Sequence, residues 1–336
     1  MSEDLSLHSI VGRSNLKQQL MNALADQSVH CVLLVGEQGM GKHYVAKRIA
    51  ASLLCQQPQR GVACCNCDAC RYLSLASHPD YHELFLEEGS VIKVERLRQE
   101  VLANLLIKPH ISKRQVFVIE VDQLNEAGQN ALLKSLEEPP ATVAFILLAN
   151  TSEKVLATVK SRALQLQLEP LTQQQIAQVL EQFAIDANSE AGRDAQNYCA
   201  GNPGRALQLA EDEEFKQLRW NSLTWFYGLT TVPRHQLLLD GFTFFETNRS
   251  DFATILAIWE VALRDLALIA CNQSPKYADT KEDLKRMLPK FERETILERI
   301  NKALKLLGEV LHSQQLNVNY ELTIGYLLLN LRRLLR

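Results

Sequence analysis

The stretch Cys31-Val32-Leu33-Leu34-Val35-Gly36-Glu37-Gln38-Gly39-Met40-Gly41-Lys42-His43 decides the fold. Its first five residues read as a buried strand, the glycines as a turn, and Val45, Ile49 and Ala50 as the start of a helix. Strand, glycine loop and helix in that order make a P-loop. The glycines let backbone N–H groups converge on phosphate oxygens, and the lysine neutralises the β and γ charges. The final position calls for a Ser or Thr hydroxyl on Mg²⁺, and His43 offers a nitrogen poorly suited to a hard cation. A plain strand-to-helix turn is the simpler reading, yet spacing this complete rarely arises from packing alone. A degenerate nucleotide site is therefore expected at Gly36, Gly39, Gly41, Lys42 and His43.

Around this loop, short apolar runs alternate with helical patterns, the signature of a parallel sheet with crossover helices. Strands are expected at Cys31–Val35, Leu84–Leu86, Val116–Ile119 and Phe145–Ala149, with a possible fifth at Leu164–Leu168. Asn125 is a suitable N-cap for a helix through Leu132 and Leu136, which Pro139-Pro140 stops. Past Pro170 the alternation ends. A small helical unit follows, with Gly201-Asn202-Pro203-Gly204 as a turn before a helix starting near Arg205. From about Asp212 the pattern is helical, as in Ile255, Ile258, Val261, Leu263, Leu266 and Leu268. The expected domains are an α/β module over 1–168, a helical lid over 169–211 and an all-helical domain over 212–336. The basic segment Tyr326 to Arg336 reads as the last helix of that domain, or else as a helix that binds a partner.

An ATPase of this plan ends the strand at Val116 with an acidic pair, one residue for Mg²⁺ and one to orient water. Here Ile119-Glu120 stands in its place, with Asp122 beyond. Whichever role Glu120 takes, the other carboxylate is missing. Glu120 and Asp122 could also be no more than polar residues at a strand end.

Five of the eight cysteines fall between Cys55 and Cys70. Cys55, Cys64, Cys67 and Cys70 have the spacing of one tetrahedral site, so a zinc ion there would be structural, without an open position for water. Cys65 is surplus and expected to point away, and His78 and His82 are nearby alternative ligands. Buried free thiols or a redox pair are the competing readings.

Composition bounds the function. The 336 residues are 46% hydrophobic and 22% charged, which is ordinary for a globular chain of two or three domains. A net charge of −3 argues against a chain that mainly wraps nucleic acid. The longest apolar run, Val143 to Ala149, is too short to span a membrane, and Glu3 and Asp4 stand where an export signal would be basic. A cytoplasmic protein is expected, with no membrane partner.

The phosphate loop, the cysteine insertion behind its helix, the run Asn130-Ala131-Leu132-Leu133-Lys134-Ser135-Leu136-Glu137-Glu138-Pro139-Pro140, and Ser161-Arg162 after a strand together resemble the clamp-loader branch of the AAA+ proteins. The resemblance is dense from Ile10 to about Leu171 and only architectural over the last part of the chain. It implies an AAA+ module, a lid, and a helical domain that joins a collar of clamp-loader subunits of DNA polymerase III. It makes Arg162, beside Ser161, an arginine finger entering a neighbour's ATP site in trans, although Ala163 replaces the family's cysteine. A bare reading of Arg162 is an arginine at a helix end, paired with the helix dipole or a carboxylate. Asn150 falls at the first nucleotide sensor and Arg205 near the second. The departures at His43 and Ile119 imply a noncatalytic subunit that binds ATP weakly or not at all. Its implied partners are the motor and clamp-opening subunits, and through the complex the sliding clamp and primed DNA. The absence of an extended tail after the helical domain points the same way. Two other readings compete: a motor subunit with an atypical magnesium shell, and a zinc-containing nucleic-acid module. The second is disfavoured because Gln56 to Arg71 holds only Arg60 and Arg71 as basic residues.

Overall fold

The computed structural model describes residues 4–25, 29–86, 91–275, 293–315 and 319–336. The chain divides into two compact units, Met1–Gly192 with Cys199–Leu207, and Arg193–Tyr198 with Gln208–Arg336.

The first unit is built on five parallel strands, β1 Cys31–Val35, β2 Tyr81–Leu84, β3 Gln115–Glu120, β4 Val143–Ala149 and β5 Leu164–Gln167, in the order β2-β3-β4-β1-β5. This is the expected α/β module, a parallel sheet with crossover helices. Every residue of β1 and β4 is buried, as expected for central strands covered on both faces. Alternate residues feed two separate cores. Val32, Leu34, Val118, Ile146 and Leu148 pack with helices α1 (Ser14–Ala25) and α2 (Lys42–Leu54). Leu33, Val35, Phe117, Ile119 and Leu147 pack on the other face with α4 (Val94–Glu100) and α5 (Glu126–Glu137). Each fully buried Leu, Ile or Phe contributes about 1.5–3 kcal/mol.

The strand expected at Leu84–Leu86 lies three residues earlier. β2 is an edge strand with a single neighbour, so only Leu84 of its four residues is buried and Phe85 is already exposed. An edge strand carries too little buried surface for an apolar run to mark it. The helix expected near Arg205, α9 (Pro203–Glu211), begins two residues sooner, with proline in its first turn. Asn125 caps α5, its side chain accepting the Gly128 N–H at 2.9 Å.

The other elements that matter for the site are α3 (Asp68–Ser74), the single turn α6 (Ala157–Lys160), α7 (Gln173–Gln182) and α8 (Glu190–Tyr198). Thr172 and Gln175 form a capping box at the start of α7.

The second unit is helical: α10 (Glu213–Gly228), α11 (Arg234–Thr247), α12 (Phe252–Ala270), and the helices Arg293–Gln315 and Tyr320–Leu335. Trp259 is fully buried between Phe226 and Phe245, and its indole N–H donates to Ser222 O at 3.0 Å. The final helix buries Leu327, Leu328, Leu331 and Leu335, and Arg332 donates to the carbonyls of Leu229 and Val232 just past α10. Among the described residues, no helix is long and apolar enough to cross a membrane.

Candidate functional site

Gly39 and Gly41 take positive φ values of 79° and 85°, which place the loop at the C-terminal end of β1 and aim the first N–H groups of α2 inward. Above it lies a cavity of about 760 Å³ lined by Lys42, His43, Glu120, Asp122 and Asn150 among others. The Lys42 ammonium is buried and donates to Gly36 O at 2.8 Å, Glu37 O at 3.2 Å and Asn150 Oδ1 at 2.8 Å. An ammonium has three hydrogens, so these acceptors saturate it. Burial pushes its pKa down, and the charges of Glu120 and Asp122 oppose that shift.

His43 Nε2 stands 3.6 Å from Glu120 Oε1, with its ring edge-on to Phe85. Burial holds its pKa below the ordinary imidazole value against the pull of Glu83, and Lys42 lowers it further, so the ring is neutral at pH 7. Glu120 and Asp122 both line the cavity, while Ile119 is fully buried in the opposite core. Asp122 Oδ2 accepts the Asn150 N–H at 2.7 Å. The two acidic side chains are therefore present, but no hydroxyl follows Lys42 to share a magnesium ion with them. Arg205 is not among the residues lining this cavity, and its backbone N–H donates to Asn202 Oδ1.

Asn202 and Gly204 close the loop from the other side. Asn202 Nδ2 donates to Gln38 O at 2.7 Å and the Gly204 N–H to Gly39 O at 2.9 Å. A Cβ on Gly204 would lie 2.8 Å from Gly39 Cα, so the two backbones touch only because residue 204 is glycine. Arg13 also reaches the loop, donating to Met40 O at 2.7 Å, and burial pushes its pKa down to about 10.

The thiols of Cys55, Cys64, Cys67 and Cys70 lie within 4.8 Å of one another and could hold a metal ion. The Cys55–Cys67 and Cys67–Cys70 sulfurs are 3.9 and 3.5 Å apart. A tetrahedron with 2.3 Å zinc–sulfur arms has edges of about 3.8 Å, so the donor set fits that ion. The Cys64 N–H donates to Cys55 Sγ at 3.3 Å, a partner that would orient the thiolate. Cys65 faces away, its sulfur 3.7 Å from Asp4 Oδ1. The two histidines are engaged elsewhere. His78 Nδ1 accepts the Asp80 N–H, its Nε2 is 3.1 Å from Ser112 Oγ, and His82 stacks on Phe117.

Beside the knuckle, the fully buried Asp80 carboxylate accepts the N–H groups of His110, Ile111 and Ser112 at 2.6, 2.9 and 2.8 Å. Ser112 Oγ in turn donates to Leu54 O, the last residue of α2 before Cys55. Burial alone would raise the pKa of Asp80, but the three N–H donors hold it below the usual range. Asp80→Ala orphans all three donors and is expected to destabilise the protein by about 3 kcal/mol, read by urea denaturation.

Arg162 follows α6. Its Nη1 donates to Thr158 O at 2.7 Å and Ser161 Oγ at 3.1 Å, and its Nη2 meets Glu137 Oε1 at 2.5 Å. Ser161 Oγ donates to Thr158 O at 3.0 Å. The buried Gln129 fixes the approach to α6, donating to Lys154 O at 2.8 Å and accepting the Leu156 N–H at 2.9 Å.

Residues 12–172 match the model of the family described as DNA polymerase III, delta subunit. The match covers just under half of the chain. It contains the phosphate loop, the four cysteines and Arg162, and leaves out Arg205. Among similar proteins, the DNA polymerase III subunit delta' of Pseudomonas aeruginosa is 38% identical over 41% of this chain and 43% of its own length. The subunit delta' of Escherichia coli is 32% identical over 61% of each chain. The subunit gamma of Buchnera aphidicola from Schizaphis graminum is 32% identical over 61% of this chain and 58% of its own. The matched stretches span less than two thirds of each of these relatives. Arg13, Gln129, Glu137 and Asn202 did not emerge as site residues from the sequence, because each acts through a contact distant in the chain.

Proposed function

We propose that the chain is a noncatalytic subunit of the replicative DNA polymerase clamp loader. It assembles with motor and clamp-opening subunits and supplies Arg162 in trans to a neighbour's ATP site, helping to load the sliding clamp on primed DNA. The observation that carries this is the state of Lys42: all three of its hydrogens go to acceptors of the chain itself, and a neutral histidine replaces the magnesium-binding hydroxyl. Relatives named delta' support the reading. In the same reading Asn150 and Arg205 are relics of nucleotide sensing, and ATP binds weakly or not at all. The four cysteines hold a structural zinc ion. The chain works as an α/β module over 1–168 with its knuckle at 55–70, a lid over 169–211 and a collar domain over 212–336, in the cytoplasm.

Relatives named gamma, at comparable identity, favour a second reading, an ATP-hydrolysing subunit with an atypical magnesium site. Steady-state hydrolysis by the isolated chain separates the two. The first expects no magnesium-dependent turnover, and a rate on the order of 1 per second, typical of phosphoryl-transfer enzymes, would overturn it in favour of the second.

A further inference from the structure

We propose that Glu137 is a positioning residue that holds the Arg162 guanidinium folded back on the end of α6 and gives it up to the phosphates of the neighbouring subunit. The inference rests on the arginine-finger reading above. Arg162 does not extend into solvent: Nη1 turns back to the carbonyl four residues earlier and to the Ser161 hydroxyl, and Nη2 is taken by Glu137. The cost of this pose is visible at Nε, which is buried with no hydrogen-bond partner.

Glu137 is the last residue of α5, where a carboxylate opposes the helix dipole. The stability of α5 therefore gives no reason for an acid there, whereas the pairing with Arg162 does. The side chains are 50% and 31% exposed, so the pair is weak and opens readily. A carboxylate and a phosphate offer the guanidinium the same geometry of acceptor oxygens, and release exchanges one for the other. While the pair is closed, the carboxylate also cancels the positive field that a γ-phosphate would meet.

The test uses the complex reconstituted with its ATP-hydrolysing subunits. Glu137→Ala is expected to raise hydrolysis without DNA about two- to fivefold, the population change available from opening one partly exposed ion pair. The rise should vanish when Arg162→Ala is added. Glu137→Asp, which keeps the charge on a shorter arm, should fall between wild type and Glu137→Ala. A merely structural contact gives no gain of rate, so an unchanged or lower rate in Glu137→Ala overturns the proposal. If Arg162→Ala alone depresses hydrolysis in that same experiment, the finger reading survives. If Arg162→Ala alone leaves hydrolysis untouched, the finger reading falls and this proposal with it.

Discussion

Arg162→Ala in the assembled complex is expected to slow hydrolysis at the neighbouring site by about a thousandfold, the lower end of what an arginine finger contributes. On the proposed arginine-finger reading, the guanidinium would meet the γ-phosphoryl group as negative charge spreads over its oxygens, so its loss would be felt in the transition state rather than in ATP binding. The rate constant should therefore fall while the Michaelis constant for ATP changes little. The fold should not suffer, because the side chain ties down no more than one partly exposed ion pair and two hydrogen bonds at the end of α6. Arg162→Lys keeps a charge but loses the planar fork, and should recover little of the rate. Single-turnover hydrolysis with DNA present, alongside native mass spectrometry of the complex, measures both halves of the expectation. An intact complex with an unchanged rate would remove Arg162 from the mechanism.

Cys67→Ser should release one bound zinc ion per chain and lower the melting temperature by about 10 °C. Between Cys55 and Asp68 the only backbone pairing of sheet type among the described residues is the bridge between Gln59 and Val62, so little besides the metal ties the excursion down. Cys55 and Cys70 sit within the same buried cluster as Ala51, Leu54, Ala63 and Leu73. Loss of the ion would leave polarisable thiols there without the bond that fixes them. Structural zinc contributes on the order of 10 kcal/mol in small peptides, of which a knuckle on a larger module loses about 3–5 kcal/mol when one ligand is removed. At roughly 2–4 °C per kcal/mol this gives the stated shift. Elemental analysis of the purified protein and differential scanning calorimetry supply the readings, and a metal-free wild type with the same melting temperature would refute a structural ion.

What was legible in the sequence follows physical lines. The phosphate loop could be read because it needs glycine at defined backbone positions, and the positive φ values at Gly39 and Gly41 are that need in the structure. The cysteine cluster could be read because metal geometry fixes spacing, and the four sulfurs that the spacing selected are the four that converge. Central strands could be read because burial on both faces leaves an unbroken apolar run. β2 could not be placed, since one neighbour and one buried residue give no pattern. Nor could the parts of the site made by distant contacts. Arg13 reaches Met40 across 27 residues, Asn202 reaches Gln38 across 164, and Glu137 reaches Arg162 across 25. No local period encodes a meeting of that kind. Arg162 stands in the structure as the helix-end arginine with a carboxylate partner, and it is the resemblance alone that marks it for work on a neighbour.

The three hydrogen bonds of Lys42 also bear on what a ligand at the loop would have to overcome. A buried ammonium without counter-groups is ruinous to a fold, and in a nucleotide-binding protein the phosphates share in answering it. Here two carbonyls of the loop and one amide at the end of β4 answer it in full. The ammonium is thus satisfied by groups of the chain itself. A phosphate that took Lys42 would first have to displace one of these three acceptors, so the loop's own carbonyls and Asn150 compete directly with any ligand for the ammonium.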